Sequence, residues 1–293
     1  MQPSKVLITG ASGLLGTPTV KVFEARPRTQ ILAVGREELD IADAAEVEAQ
    51  VRGFRPDLII NCAAYTKVDD CESHEADANR VNGVGPGNIA RSAAACGARL
   101  IHISTDYVFD GHGTSPYRED HPTGDPTQLS AYGRSKLLGE QEVCRHHSRA
   151  IILRTAWLYG HDGPCFPEAI LKRARAGGPL QVVTDQVGTP TYASDLAEAI
   201  GELAEFDVAG FFHFTNSGRC TWFEFAVEVL RLAKMNPAVG PITSDRLSRP
   251  AKRPSFSVLD NRRFMSVTGA CPRPWQEALS AYVASAPDPA IGD

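Results

Sequence analysis

Short apolar runs recur along the first half of the chain, set apart by longer stretches with helical spacing. Lys5-Val6-Leu7-Ile8-Thr9 reads as a first strand, Gln30 to Val34 as a second and Leu58 to Cys62 as a third. Leu100 to Ser104 and Ala150 to Arg154 read as a fourth and a fifth. None alternates apolar with polar residues, as expected of strands covered on both faces. Helical patterns fill the gaps, over Asp43 to Gly53, Ala76 to Cys96 and Ser130 to His146. Strand and helix in alternation predict an α/β fold, a Rossmann-type doubly wound parallel sheet. Past about residue 157 the rhythm breaks: glycine and proline crowd 160–167 and 177–179, a helix is expected from Thr221 to Lys234, and prolines punctuate the stretch from Pro237 to Pro254.

Composition narrows the partners more than the fold. Of 293 residues 43% are hydrophobic and 22% charged, and the formal net charge is −5. No basic concentration of the kind that grips a phosphate backbone is present, so nucleic acid is not an expected partner. No apolar run approaches the roughly 20 residues of a membrane span. The start passes from Ser4-Lys5 directly into Val6-Leu7-Ile8 without the apolar segment of a signal peptide, so a cytoplasmic location is expected. The seven cysteines are scattered with no C-x-x-C pair, read as reduced thiols, and no metal site is predicted.

Chemistry enters with the turn after the first strand. Gly10, Gly13 and Gly16 stand in a G-x-x-G-x-x-G spacing between that strand and a helix. Glycine there lets backbone approach a pyrophosphate, whose charge rests on the free N–H groups of the helix start. The expected ligand is a nicotinamide dinucleotide. Arg36 follows the second strand, where an acidic residue would bind a free ribose 2′-hydroxyl; an arginine suits a 2′-phosphate. NADPH is therefore expected, with NADH left open. Residues 1–158 are read as the dinucleotide-binding domain, rejoined by a later strand and helix near 180–210. Residues 159–286 are read mainly as a substrate lobe, and 287–293 as a tail.

Tyr132 and Lys136 form a Y-x-x-x-K on a predicted helix, which places phenol and ammonium on one face. The positive charge is expected to draw the phenol pKa down from about 10, so that the tyrosine can exchange a proton with a carbonyl oxygen. Ser104-Thr105 ends the fourth strand, at the sheet edge where such folds bind ligands. From there Thr105 can hydrogen-bond a substrate carbonyl.

The glycine loop, Ser104-Thr105 with Val108-Phe109, and the Tyr132/Lys136 motif together resemble the extended short-chain dehydrogenase/reductases. Arg55-Pro56-Asp57, the loop Asn61 to Asp69, Arg154 to Gly160, Asp185 to Thr191 and Arg253 to Asp260 are similar to the dTDP-4-dehydrorhamnose reductases within them. That resemblance runs from about Lys5 to Tyr282. It implies reduction of a nucleotide-linked 4-keto-6-deoxy sugar, dTDP-4-dehydro-L-rhamnose to dTDP-L-rhamnose, with Tyr132 as proton donor. Lys136 would tune that tyrosine and anchor the ribose, and Thr105 would meet the carbonyl. Gly10, Ser12, Gly13, Leu14, Gly16, Asp40, Ile41, Ala63, Ala64, Tyr65 and Thr66 would line the dinucleotide, and Asp106, Trp157 and Gln186 the sugar nucleotide. One departure stands out: Cys165 precedes Phe166 where the family often has asparagine.

The partners this implies are a sugar-nucleotide substrate and, as an option left open, a second copy in a homodimer. Two other readings compete. One is the same chemistry on another dTDP-4-keto sugar. The other is a regulatory subunit resembling the β subunit of methionine adenosyltransferase, which keeps much of the fold and a Y-x-x-x-K. The intact Tyr65 to Asp69 loop and the Ser104-Thr105 pair resemble the reductases more closely.

Overall fold

The computed structural model describes residues 3–285; the expected tail at 287–293 lies outside them. Elements follow one another as β1 Lys5–Thr9, α1 Gly16–Glu24, β2 Gln30–Val34, α2 Ala44–Phe54, β3 Leu58–Asn61, α3 Glu75–Asn79, α4 Gly85–Cys96 and β4 Arg99–Thr105. Then come α5 Ala131–His146, β5 Ile151–Thr155, β6 Leu158–Tyr159, α6 Phe166–Arg175, β7 Leu180–Val183, β8 Val187–Gly188 and β9 Thr191–Tyr192. The chain continues with α7 Ala193–Leu203, β10 Gly210–His213, β11 Cys220–Thr221, α8 Trp222–Leu232, β12 Val239–Ile242, α9 Arg262–Thr268 and α10 Trp275–Ala284.

Six strands form one parallel sheet in the order β10-β5-β4-β3-β1-β2. The order reverses beside β1, so a crevice opens outside the carboxyl ends of β1 and β3, the place where such sheets bind ligands. Successive side chains of a strand point to opposite faces, and both faces are filled. Val6, Ile8, Leu58 and Ile60 pack with Phe23, Leu196 and Ile200 on one side. Leu7, Ile59, Leu100 and Ile152 pack with Val47, Val51 and Ile89 on the other. That two-sided burial is why the strands read as unbroken apolar runs.

Two boundaries depart from the sequence reading. The helix expected from Ala76 to Cys96 is broken: α3 ends at Asn79, a π turn runs over Arg80–Val84, and α4 begins at Gly85. Pro86 has no N–H to return to the Asn82 carbonyl, so the regular ladder cannot pass through this point. The later return to the sheet is made by α7 within the expected stretch and by β10 at its end, not by β7. β7 pairs with β12, away from the main sheet, while the edge strand beside β5 is β10 and α7 packs back on α1.

The smaller lobe has its own core, in which Tyr159, Ile170, Leu180, Phe225, Trp275 and Leu279 are buried together. It is clasped to the larger unit by Arg253, whose guanidinium donates to both oxygens of Asp69 at 2.9 and 2.8 Å. Among the described residues, no helix is long and apolar enough to cross a membrane.

Candidate active site

The glycine loop turns at Gly10, whose φ of +66° favours a residue without a side chain. A Cβ there would come within 2.6 Å of the Ala63 nitrogen. One at Gly16 would collide with the Gly10 carbonyl as α1 leaves the loop. The first turn of α1 therefore presses against the strand ends, a close approach of backbone that leaves room for a pyrophosphate. Ser12 and Arg36 line a cleft of about 560 Å³ with Thr17, Lys21, Gly35 and Glu38. Arg36 is exposed there. The Gly35 N–H donates to Glu38 at 2.8 Å, which sets a carboxylate beside the same cleft.

Not every expected cofactor residue offers a free side chain. Asp40 accepts from Arg80 at 2.6 Å, and that guanidinium holds its carboxyl below the ordinary value. Ile41 is buried against Gly85. Ala63, Ala64 and Tyr65 are half-buried and Thr66 is exposed, on the loop that leaves β3.

Asn82 ties that loop to α5, which carries Tyr132 and Lys136, and nothing in the sequence singled it out. Its side chain accepts from the Tyr65 N–H at 2.7 Å and donates to the Tyr65 carbonyl at 3.0 Å and to Ser135 Oγ at 2.9 Å. Ser135 in turn donates to the Tyr132 carbonyl at 2.8 Å. Asn82 sits in the π turn; with Gly139 opposite, where a Cβ would strike the Asn82 carbonyl, the two backbones come close.

At the end of β4, Thr105, Asp106, Tyr132 and Lys136 are all buried. Thr105 Oγ1 donates to Asp106 Oδ1 at 3.0 Å and accepts from the Tyr107 N–H at 3.2 Å. Burial pushes the Asp106 carboxyl up to about 6, against the hydroxyls of Ser257 and Thr105, which pull it down. Its Oδ2 is buried and, among the described residues, makes no hydrogen bond of good geometry, with the equally unpartnered Ser257 hydroxyl the donor nearest to hand. Ser104, the other half of the hydroxyl pair, faces away. It donates at 2.6 Å to Glu140, which Arg154 grips through two nitrogens at 2.8 and 2.7 Å.

The electrostatics of the tyrosine correct the sequence expectation. Its pKa lies above the ordinary value, not below it: burial dominates, and the Thr105 hydroxyl opposes it only in part. Lys136 spends its ammonium on the Ile103 carbonyl, at 2.7 Å, and burial lowers its own pKa to about 8 although Glu140 works the other way. A neutral phenol in this setting holds its proton, as a donor in a reduction must.

Toward the smaller lobe, Trp157 is half-buried just after β5. Gln186 is buried and donates from Nε2 to Ser244 Oγ at 2.7 Å. Tyr107 stands edge-on to Tyr132 with ring centres 5.4 Å apart. Arg249 lies in the field of Arg253 and Arg173, whose like charges add to burial in lowering its pKa. This cationic cluster was not singled out, because its members are scattered between 173 and 253 in the sequence.

The profile of the RmlD substrate binding domain matches residues 4–287, nearly the whole chain. The chain belongs to the RmlD substrate binding domain family. Within the RmlD family, a dTDP-4-dehydrorhamnose reductase of Streptomyces griseus is 43% identical over 281 residues, 94% of this chain and 91% of that one. A protein of Streptomyces antibioticus, described as a probable dTDP-4,6-dihydroxy-2-methyloxan-3-one 4-ketoreductase, is 43% identical over 93% of this chain and 92% of its own. Among solved structures, the dTDP-4-dehydrorhamnose reductase of Bacillus anthracis in complex with NADP superposes with a TM-score of 0.91 at 35% identity. The match covers 98% of this RmlD-family chain and all of that one.

Proposed function

We propose that this protein is an NADPH-dependent reductase of nucleotide-linked 4-keto-6-deoxy sugars, acting on dTDP-4-dehydro-L-rhamnose to form dTDP-L-rhamnose. The observation that carries the reading is the convergence at one strand end: Thr105 and Asp106 close β4, Tyr132 and Lys136 lie buried on α5, and the glycine cradle opens on the same crevice. The reductase name of the Streptomyces griseus relative and the NADP held by the Bacillus anthracis structure support it.

NADPH, when bound, supplies the hydride to C4 of the sugar. Gly10 and Gly16 would admit its pyrophosphate, Arg36 its 2′-phosphate, and Lys136 its ribose. Thr105 Oγ1 would turn its proton from Asp106 Oδ1 to the C4 carbonyl oxygen, orienting that oxygen toward Tyr132. The Tyr132 phenol gives that oxygen a proton as the carbon accepts the hydride, leaving an alcohol and a phenolate that solvent reprotonates. Asp106 Oδ2 would accept from a sugar hydroxyl, and Trp157 and Gln186 would border the sugar nucleotide. The cluster around Arg249 suits its diphosphate, because closely set cations stabilise that charge. The reading extends to a cytoplasmic enzyme that works alone or as a homodimer.

A second substrate reading has one observation in its favour, the Streptomyces antibioticus relative named for a different dTDP-linked keto sugar. Incubating the protein with a panel of dTDP-4-keto sugars and NADPH, and following loss of the reduced nicotinamide, separates the two. Fastest turnover on dTDP-4-dehydro-L-rhamnose is expected. Absence of turnover on every sugar in the panel would overturn the enzymatic reading in favour of the regulatory one.

A further inference from the structure

Trp157 carries two local features that a tryptophan does not adopt unaided. Its φ is +48°, in the left-handed region that strains a residue with a Cβ. Its ring lies face to face with Trp222, centres 3.6 Å apart and planes 10° from parallel. Ring quadrupoles favour offset or edge-on arrangements over such overlap. The pose is therefore imposed by its surroundings.

The surroundings are specific. Gly188 leaves the space that the indole fills, since a Cβ at that position would run into Cε2 of Trp157. Trp222 is the first residue of α8, and the start of that helix is locked by a reciprocal cap. Thr221 Oγ1 accepts from the Glu224 N–H at 3.1 Å, and the Glu224 carboxylate accepts from the Thr221 N–H at 2.7 Å. Phe166 braces the Trp222 ring, with centres 4.5 Å apart. Both indoles are half-buried and not sealed in the core.

We propose that Trp222 is a positioning residue, which holds the Trp157 indole where it meets the sugar nucleotide and so sets the affinity for that substrate. This rests on the reading of Trp157 as a sugar-nucleotide contact. With one face occupied by Trp222, Trp157 offers the remainder of its ring to an apolar sugar face. Trp222, fixed by the cap of α8 and by Phe166, walls one face of the indole, so removing it opens room for the ring to leave the pose. The cofactor and the proton donor sit on other elements and are not affected.

Two stacked indoles give an exciton couplet in the far-ultraviolet circular dichroism, which reports the pair directly. In wild type, the couplet should change on titration with dTDP or a dTDP-4-keto sugar and not with NADPH. Trp222→Leu should abolish the couplet and raise the KM for the sugar nucleotide about tenfold, the ratio that matches a stack worth about 1.4 kcal/mol. The kcat and the KM for NADPH should stay unchanged, and Trp222→Phe should recover most of the affinity. A couplet in wild type that ignores saturating sugar nucleotide overturns the proposal, whatever the variants do. A raised KM in Trp157→Ala with none in Trp222→Leu also overturns it, while leaving Trp157 as a substrate contact. If neither variant moves the KM, the reading of Trp157 falls together with the proposal.

Discussion

Lys136 is the residue for which catalysis and stability should pull in opposite directions. Its ammonium is buried, and its pKa falls from 10.5 to about 8. At about 1.4 kcal/mol per pKa unit, the fold carries a penalty of about 3 kcal/mol at neutral pH relative to a neutral side chain. The sign follows from proton counts. Between about pH 8 and 10.5 the unfolded chain keeps the proton and the folded chain releases it, so stability rises with pH across that window. Below pH 8 both forms are charged and the penalty is constant. Lys136→Met removes the penalty but also the hydrogen bond to the Ile103 carbonyl, worth about 1 kcal/mol. The net gain is about 2 kcal/mol, which raises Tm by roughly 3 °C in a chain of this size. Thermal melts of both proteins without cofactor, at pH 7 and at steps to pH 10, provide the check. The gap should be widest at pH 7 and close as the pH rises. Turnover should fall sharply in the same variant, because the group expected to hold the ribose is gone. A Lys136→Met protein that melts several degrees below wild type at pH 7, or a gap that does not narrow with pH, would refute the assignment of the penalty to burial.

Tyr132→Phe should keep the fold and NADPH affinity while kcat drops by about 10²–10⁴, the usual share of general acid catalysis; near wild-type turnover on a confirmed substrate would end the proton-donor role. Arg36→Ala should lower kcat/KM for NADPH roughly ten- to a hundredfold and spare NADH, as expected for a lost charge-assisted contact. An unchanged preference would point instead to Lys21 in the same cleft. Cys165 occupies the N-cap of α6 in an extended conformation without a side-chain cap. Cys165→Asn should therefore add about 0.5–2 kcal/mol to stability in urea denaturation; a loss of stability would refute the capping argument and assign the larger share to the Sγ contacts with the Gly160 carbonyl and the Tyr282 hydroxyl.

The sheet was legible because its inner strands are buried on both faces and write themselves as apolar runs; β1 keeps the limits read from the sequence, as does β2 at the edge, where only Val34 is buried. The glycine loop was legible because its spacing records how closely backbone approaches backbone at Gly10 and Gly16. What escaped is what depends on distant parts of the chain meeting. Asn82 looks like any helical asparagine until Pro86 breaks the ladder and Tyr65 and Ser135 arrive on either side. The pKa of Tyr132 was misjudged because local spacing names the neighbouring charge, whereas the surrounding protein decides how much water remains. Gln186 and Asp40 were placed by motif, but their partners Ser244 and Arg80 lie 58 and 40 residues away.

The Asn82 carboxamide has a consequence for how this fold can change over time. One side chain serves both the loop that follows β3 and the helix bearing Tyr132, through Tyr65 on one side and Ser135 on the other. Replacing Asn82 leaves the Tyr65 backbone groups and the Ser135 hydroxyl short of a partner at once, so its effect cannot be added up site by site. Lineages that remodel the cofactor loop would have to pass through paired changes at the π turn and on α5. The side chains around Trp157 and Gln186 share no bond with this amide, so changes there are not coupled to it in the same way.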